Sequence, residues 1–179
     1  MLRRPKRKNT TRNMDDKNTF DAQAYFKNLT ERNKLAMQYG FYPCACSGIN
    51  SLEDMLLNFQ SKGAFVSVDD TNDSQISRQG AGFFAKRTIT VFILRRYKFG
   101  DMASRKESLG ICRRLYRQFV SRLLVDSSLM EHDFTYLNTD RIFYRELGEY
   151  FLNGLTGLYF MIDVNEPEDL RYDAAEWTE

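Results

Sequence analysis

The chain is poor in the features that mark a membrane span, a disulfide scaffold or a known catalytic motif. It has three prolines in 179 residues, so no Pro-rich linker divides it. No apolar run approaches the ~18 residues that cross a bilayer. The N-terminus is basic with no apolar stretch behind it, so a secretory leader is not expected. Three cysteines do not make a disulfide framework. Cys44 and Cys46 stand as CAC, and Cys112 lies far away. With His132, the single histidine, they total a Cys₃His donor set. The C-x-C spacing is tighter than the usual C-x₂₋₄-C of zinc sites, and Cys112 falls on the apolar side of a helix. Three reduced thiols inside a cell are the expectation.

Other absences bear on chemistry. His132 has no Ser or Cys beside it in a nucleophile-elbow pattern. Gly80-Ala81-Gly82 precedes a strand, whereas a phosphate-binding glycine loop opens a helix. No Walker lysine pattern exists. Asp69, Asp70 and Asp73 lack the spaced ligands and closing Glu of a calcium loop and read as a solvated segment. Zinc-finger, RNP and GXXG signatures are missing too. The expectation is a chain that is not an enzyme and carries no metal or cofactor.

What is present is apolar content of 42%, charge content of 28%, and many aromatics, with 14 Phe and 10 Tyr. That composition suits a globular fold of one domain. Net charge is only +2, but its distribution is uneven. Arg3, Arg4, Lys6, Arg7, Lys8 and Arg12 crowd the first twelve residues without an acid. Lys86, Arg87, Arg95, Arg96, Lys98, Arg105, Lys106, Arg113, Arg114, Arg117 and Arg122 make a second basic block. The end is acidic: Asp163, Glu166, Glu168, Asp169, Asp173, Glu176 and Glu179 against Arg171 alone. Opposite-sign ends suit head-to-tail contact between copies, or an arm on nucleic acid. Two solvated tails would read the same way.

Three regions follow: a basic arm over residues 1–20, an α+β domain over 21–165, and an acidic tail over 166–179. A helix is expected from Asp21, with Ala24, Tyr25, Phe26 and Leu35 on its apolar side. FYPCACSG, with Pro43 and Gly48, reads as loop. Asn50 or Ser51 caps a short helix bearing Glu53 and Asp54 in its first turn, with Leu52, Met55, Leu56 and Phe59 as its stripe. Ala64 to Val68 is a strand. Asp69 to Gly82 is polar and reads as a long loop between strands. Phe83 to Tyr97 is a strand with Ile89, Val91 and Ile93 on one face and Thr88, Thr90, Phe92 and Leu94 on the other. It is apolar on both faces at its middle, hence central.

A helix from Ala103 to Val125 follows, its core face formed by Leu109, Cys112, Tyr116, Phe119 and Leu123. Lys106, Arg113, Arg114 and Arg117 project elsewhere. Phe134 to Leu137 and Arg141 to Glu146 are strands separated by the turn Asn138-Thr139-Asp140. Leu158 to Val164 is the last strand, before Pro167. The fold class is α+β, a mixed or antiparallel sheet packed against two main helices.

The order of these elements, with a strand written TITVFILRR, a long helix behind it, and a last strand written LTGLYFMIDV, resembles the tail terminator (tail completion) proteins of tailed bacteriophages. The resemblance covers roughly residues 21–165. It implies a subunit that forms a ring, commonly a hexamer, ends the tail tube and joins it to the head connector. Implied partners are copies of itself, the tail tube protein, and a head connector or stopper protein, with transient contact to DNA and none to a membrane. Implied location is the virion, assembled in the host bacterial cytoplasm. The chain departs from small members of the family by its basic arm and by an extra strand or hairpin around Phe134 to Glu146. Another head–tail connector or a minor tail protein is therefore open as well.

Interface or DNA-passage candidates are Arg3, Arg4, Lys6, Arg7, Lys8, Lys86, Arg87, Arg95, Arg96, Lys106, Arg113, Arg114 and Arg117. The alternative is a free-standing nucleic-acid-binding domain using the basic helix 103–125, with aromatics such as Tyr97, Phe99 and Tyr116 for stacking. A regulatory or toxin–antitoxin type of interaction protein is a third reading.

Overall fold

A computed structural model describes residues 19–148 and 154–178. Arg3, Arg4, Lys6, Arg7, Lys8 and the tail's Glu179 lie outside the described residues, as do the side chains of Asn50, Glu53, Met55 and Leu56. The first helix, α1 (Ala22–Arg32), begins where the Asp21 carboxylate accepts the Ala24 N–H at 2.9 Å. Asn33 ends it and caps a short second helix, α2 (Lys34–Gln38), by accepting the Ala36 N–H. Ala22 and Phe26 are the buried apolar residues of α1, with Leu29 beside them. Ala24, expected on this side, is exposed.

The expected loop at FYPCACSG is instead a strand, β1 (Phe41–Cys46). Among the described residues it is the outermost strand and pairs on one side only, so Pro43 is tolerated there. Helix α3 (Gly48–Asn58) starts earlier than the expected caps Asn50 and Ser51 and returns the chain to β2 (Ala64–Asp69), parallel to β1. The expected long loop Asp69–Gly82 is mostly a strand, β3 (Asp73–Gln79), in a hairpin with β4 (Gly82–Arg96). The turn places Gly80 at φ +61°, which glycine adopts without strain.

Asp101 caps the long helix α4 (Met102–Met130) by accepting the Ser104 N–H at 3.0 Å. This helix runs a turn past the expected end at Val125, and Ile111 and Leu115 join the expected core residues. The strands β5 (Tyr136–Leu137) and β6 (Phe143–Glu146) do not form a hairpin. Both pair antiparallel with the last strand, β7 (Leu155–Glu168), one after the other along the same edge. The turn at Asn138-Thr139-Asp140 is therefore an interruption in one edge. β7 is longer than the expected Leu158–Val164 and runs through Pro167, which lies opposite Phe84.

The fold is α+β. Its seven-stranded mixed sheet has the order β1-β2-β4-β7-β5, with β3 in line with β2 beside β4 and β6 in line with β5 beside β7. The long strands β4 and β7 thus form a central ladder flanked on each side by a divided strand. The two helices α1 and α4 pack on one face, over Phe26, Ile89, Val91, Ile93, Phe119 and Phe160. On the other face α3 places Leu52 against Phe65, Phe92 and Leu94. Val91, Ile93 and Leu94 are fully buried, as expected of a central strand.

Candidate functional surfaces

Residues alternate across a strand, so neighbouring cations on β4 cannot share a face. Lys86 lies opposite Asn165 and reaches Asp163 at 2.6 Å. The Thr88 hydroxyl donates to the same carboxylate at 2.7 Å. Arg87 points to the helical face and binds Glu166 at 2.5 Å. Arg95 also turns to that face, donating to the Ser108 hydroxyl at 3.0 Å with its guanidinium over the Tyr39 ring. Arg96 turns the other way, donating to the Lys62 carbonyl and lying over Phe65. The four strand cations flank both faces of the sheet and make intramolecular contacts.

On α4, Arg113 makes a two-pronged bond to Glu146 at 2.6 and 2.7 Å, tying the helix to β6. Those bonds hold the Glu146 carboxyl below the ordinary carboxylate range and raise Arg113 above its own. Lys106, Arg114 and Arg117 are exposed and make no ion pair among the described residues. Among the described candidate cations these three are the exposed ones, while Lys86 and Arg113 keep side chains 42% accessible within their ion pairs.

A groove of about 420 Å³ runs between α1 and α4. Two cross-helix bonds bridge its walls: Tyr25 Oη donates to Asp126 at 2.9 Å, and Asn33 Nδ2 donates to Gln118 Oε1 at 2.8 Å. Leu29 and Phe119 line the space, with Arg32 and Arg122 among its polar residues. Asp126 is only 8% exposed and also accepts from Arg122 at 2.8 Å. Burial and then the Asp126 carboxylate push the Tyr25 hydroxyl well above the ordinary tyrosine range, so it stays a donor. Sequence reasoning missed this groove because Tyr25 and Asp126 are 101 residues apart.

The thiols are separated by the sheet. Cys44 and Cys46 share one face of β1, while Cys112 is buried among the residues under α4 on the other face. Burial raises Cys44 and Cys46 to about 11 and Cys112 to about 12. All three are neutral thiols at pH 7, which disfavours a role as nucleophile. His132 is exposed in a short 3-10 turn, Glu131–Asp133, after α4. Among the described residues no group of three or more His, Cys, Asp or Glu is placed to hold a metal ion. Asp69 is occupied locally, accepting from the Gly48 and Thr71 amides and the Thr71 hydroxyl.

No protein-family model matches the chain, and no curated protein matches it. No helix among the described residues is long and apolar enough to cross a membrane.

Proposed function

We propose that the chain is a structural subunit of a tailed-bacteriophage head–tail junction. It forms a ring that ends the tail tube and joins it to the head connector. The observation that carries this reading is the pair of open sheet edges. Among the described residues, β3 on one side pairs only with β4, and β5 and β6 on the other pair only with β7. Both edges belong to one sheet, and β3 and β6 run in opposite directions. A β3 edge laid beside the β6 edge of the next copy would extend the sheet in antiparallel register. Such heterologous contacts close into rings when the rotation permits. The order of elements supports the same reading, and an assembling subunit acts through surfaces, with no reacting group required of it.

The test is light scattering on the purified chain, followed by electron microscopy with tail tubes. A ring-sized oligomer that caps tubes is expected. Ile76 is 52% exposed on β3, so Ile76→Lys should leave the fold intact while a charge on the edge opposes strand addition. A monomer that never caps tubes overturns the proposal.

The second reading, a free-standing nucleic-acid-binding domain, is favoured by Lys106, Arg114 and Arg117, exposed along α4 without ion-pair partners among the described residues. Phosphate contacts by these three would weaken with salt. A monomer whose DNA affinity falls steeply between 50 and 200 mM salt would favour this reading over the ring.

A further inference from the structure

The segment after β7 exposes unusual side chains. Leu170, Tyr172 and Trp177 are 49%, 75% and 67% exposed, interleaved with Asp169, Asp173 and Glu176. Trp177 stacks on Tyr172 with ring centroids 6.2 Å apart. Three large apolar groups on a short acidic segment are more than scattered surface hydrophobics require. Their chemistry fits a groove with an apolar floor and a basic rim.

The subunit carries such a groove between α1 and α4. Its floor is Leu29 and Phe119, with the apolar wall residue Val125 at 59% exposure. Arg32 stands on the α1 wall, and Arg122 on the α4 wall is paired with the lining carboxylate of Asp126 at 2.7 Å. Arg114 and Arg117 lie one helical turn before Gln118 and Ser121, which line it, so they extend the basic rim along α4. At about 420 Å³ it falls within the ~300–1,000 Å³ of pockets that receive a drug-sized aromatic ligand.

We infer that the acidic, aromatic C-terminal segment of one copy docks in the α1–α4 groove of a second copy, with Trp177 as its anchor. The inference rests on the assembly reading above and names a contact that reading lacks. The choice of a second copy follows from charge complementarity and from the tail's place in its own subunit. There Trp177 remains two-thirds exposed, against Tyr172, and the groove is open. Aromatic anchors carry most of the energy in such contacts, and rim charges set partner choice and association rate.

The experiment has two arms. A fluorescein-labelled peptide of residues 168–179 is titrated with the full chain and followed by anisotropy. A saturable rise is expected. It should weaken about tenfold or more when Arg114→Glu and Arg117→Glu are combined. These two residues are exposed, and circular dichroism checks that the variant is folded. No rise, or an equal rise with the variant, overturns the inference.

In the second arm the emission of Trp177, the only tryptophan, is followed on dilution. A blue shift that appears with concentration supports docking between copies. A blue shift that persists at every dilution places the tail in its own groove and overturns the second-copy assignment. Rings by light scattering with solvent-exposed Trp177 emission overturn the docking and leave the ring reading standing. Bound peptide without rings does the reverse.

Discussion

Arg87 and Glu166 meet across the β4–β7 ladder at 2.5 Å and together grip the backbone of Phe20. Glu166 accepts the Phe20 N–H at 2.7 Å, and Arg87 donates to the Phe20 carbonyl at 3.2 Å. The Thr135 hydroxyl adds a longer bond to Glu166 at 3.3 Å. Glu166 is 8% exposed, so the clamp is largely withdrawn from water. Glu166→Ala leaves the Arg87 cation half-buried and unpaired, and should cost about 3 kcal/mol. Glu166→Gln keeps an acceptor for Phe20 and should cost less. Urea denaturation measures both; an unchanged midpoint for the alanine variant would refute the clamp.

Gly157 sits where β7 passes closest to β4. A Cβ there would lie 2.0 Å from the Ile93 carbonyl oxygen, and the backbone φ of +154° is one that side chains rarely adopt. Neither can relax without parting the central strands. Gly157→Ala should therefore destabilise the fold by more than about 3 kcal/mol. Gly80→Ala, with open space around its Cβ, should cost about 1–2 kcal/mol from backbone conformation alone. Equal denaturation midpoints for the two variants would contradict the close approach.

Phe119 is 1% exposed and contacts Phe26 with ring centroids 6.0 Å apart. Phe119→Ala should cost about 3–5 kcal/mol by lost burial and the cavity left behind. A thermal melt matching the wild type would mean that α4 packs in another phase.

Stability should fall at both extremes of pH. Burial raises the Asp163 carboxyl, but bonds from Lys86 and Thr88 outweigh it, and the net pKa is lowered. Glu146 is lowered by Arg113. Depressed carboxylates stabilise above the unfolded pKa of about 4, and that contribution is lost as pH falls through the folded values. The thiols run the other way. Burial raises them from 9.0 to about 11 for Cys44 and Cys46 and about 12 for Cys112. Their contribution is complete below pH 9 and drains away as pH climbs toward 11 and 12. Melting temperature against pH checks this, and Asp163→Asn should shallow the acid limb alone.

The parts legible in the sequence were those with an apolar signature. Ile89, Val91 and Ile93 alternate with Phe92 and Leu94, and both sets are buried because β4 is covered on both faces. The recurrence Leu109, Cys112, Phe119, Leu123 located α4 for the same reason. β3 was illegible because six of its seven residues are exposed, so its pairing rests on backbone bonds that composition does not record. β1 was masked by Pro43, which reads as a breaker until the strand is seen to be outermost. Among the candidate cations, charge was visible, but which cations face solvent depended on distant acids such as Glu146 and Glu166. The α1–α4 groove needed tertiary structure, since its walls come from helices far apart in the chain.

The central ladder has a mechanical side. β4 and β7 are matched over fourteen residue pairs, from Phe83 opposite Glu168 to Arg96 opposite Leu155. Force applied along the strands would load the ladder's hydrogen bonds together in shear. Force applied across one end of the ladder, between Phe83 and Glu168, would peel them one at a time. The molecule should therefore be stiff to axial tension and compliant to lateral bending, with the β3–β4 tip as the hinge. In optical tweezers, attachment at residues 83 and 155 should give a higher rupture force than attachment at residues 83 and 168. For a subunit set in a stack, that anisotropy would pass axial load from neighbour to neighbour while the tip flexes.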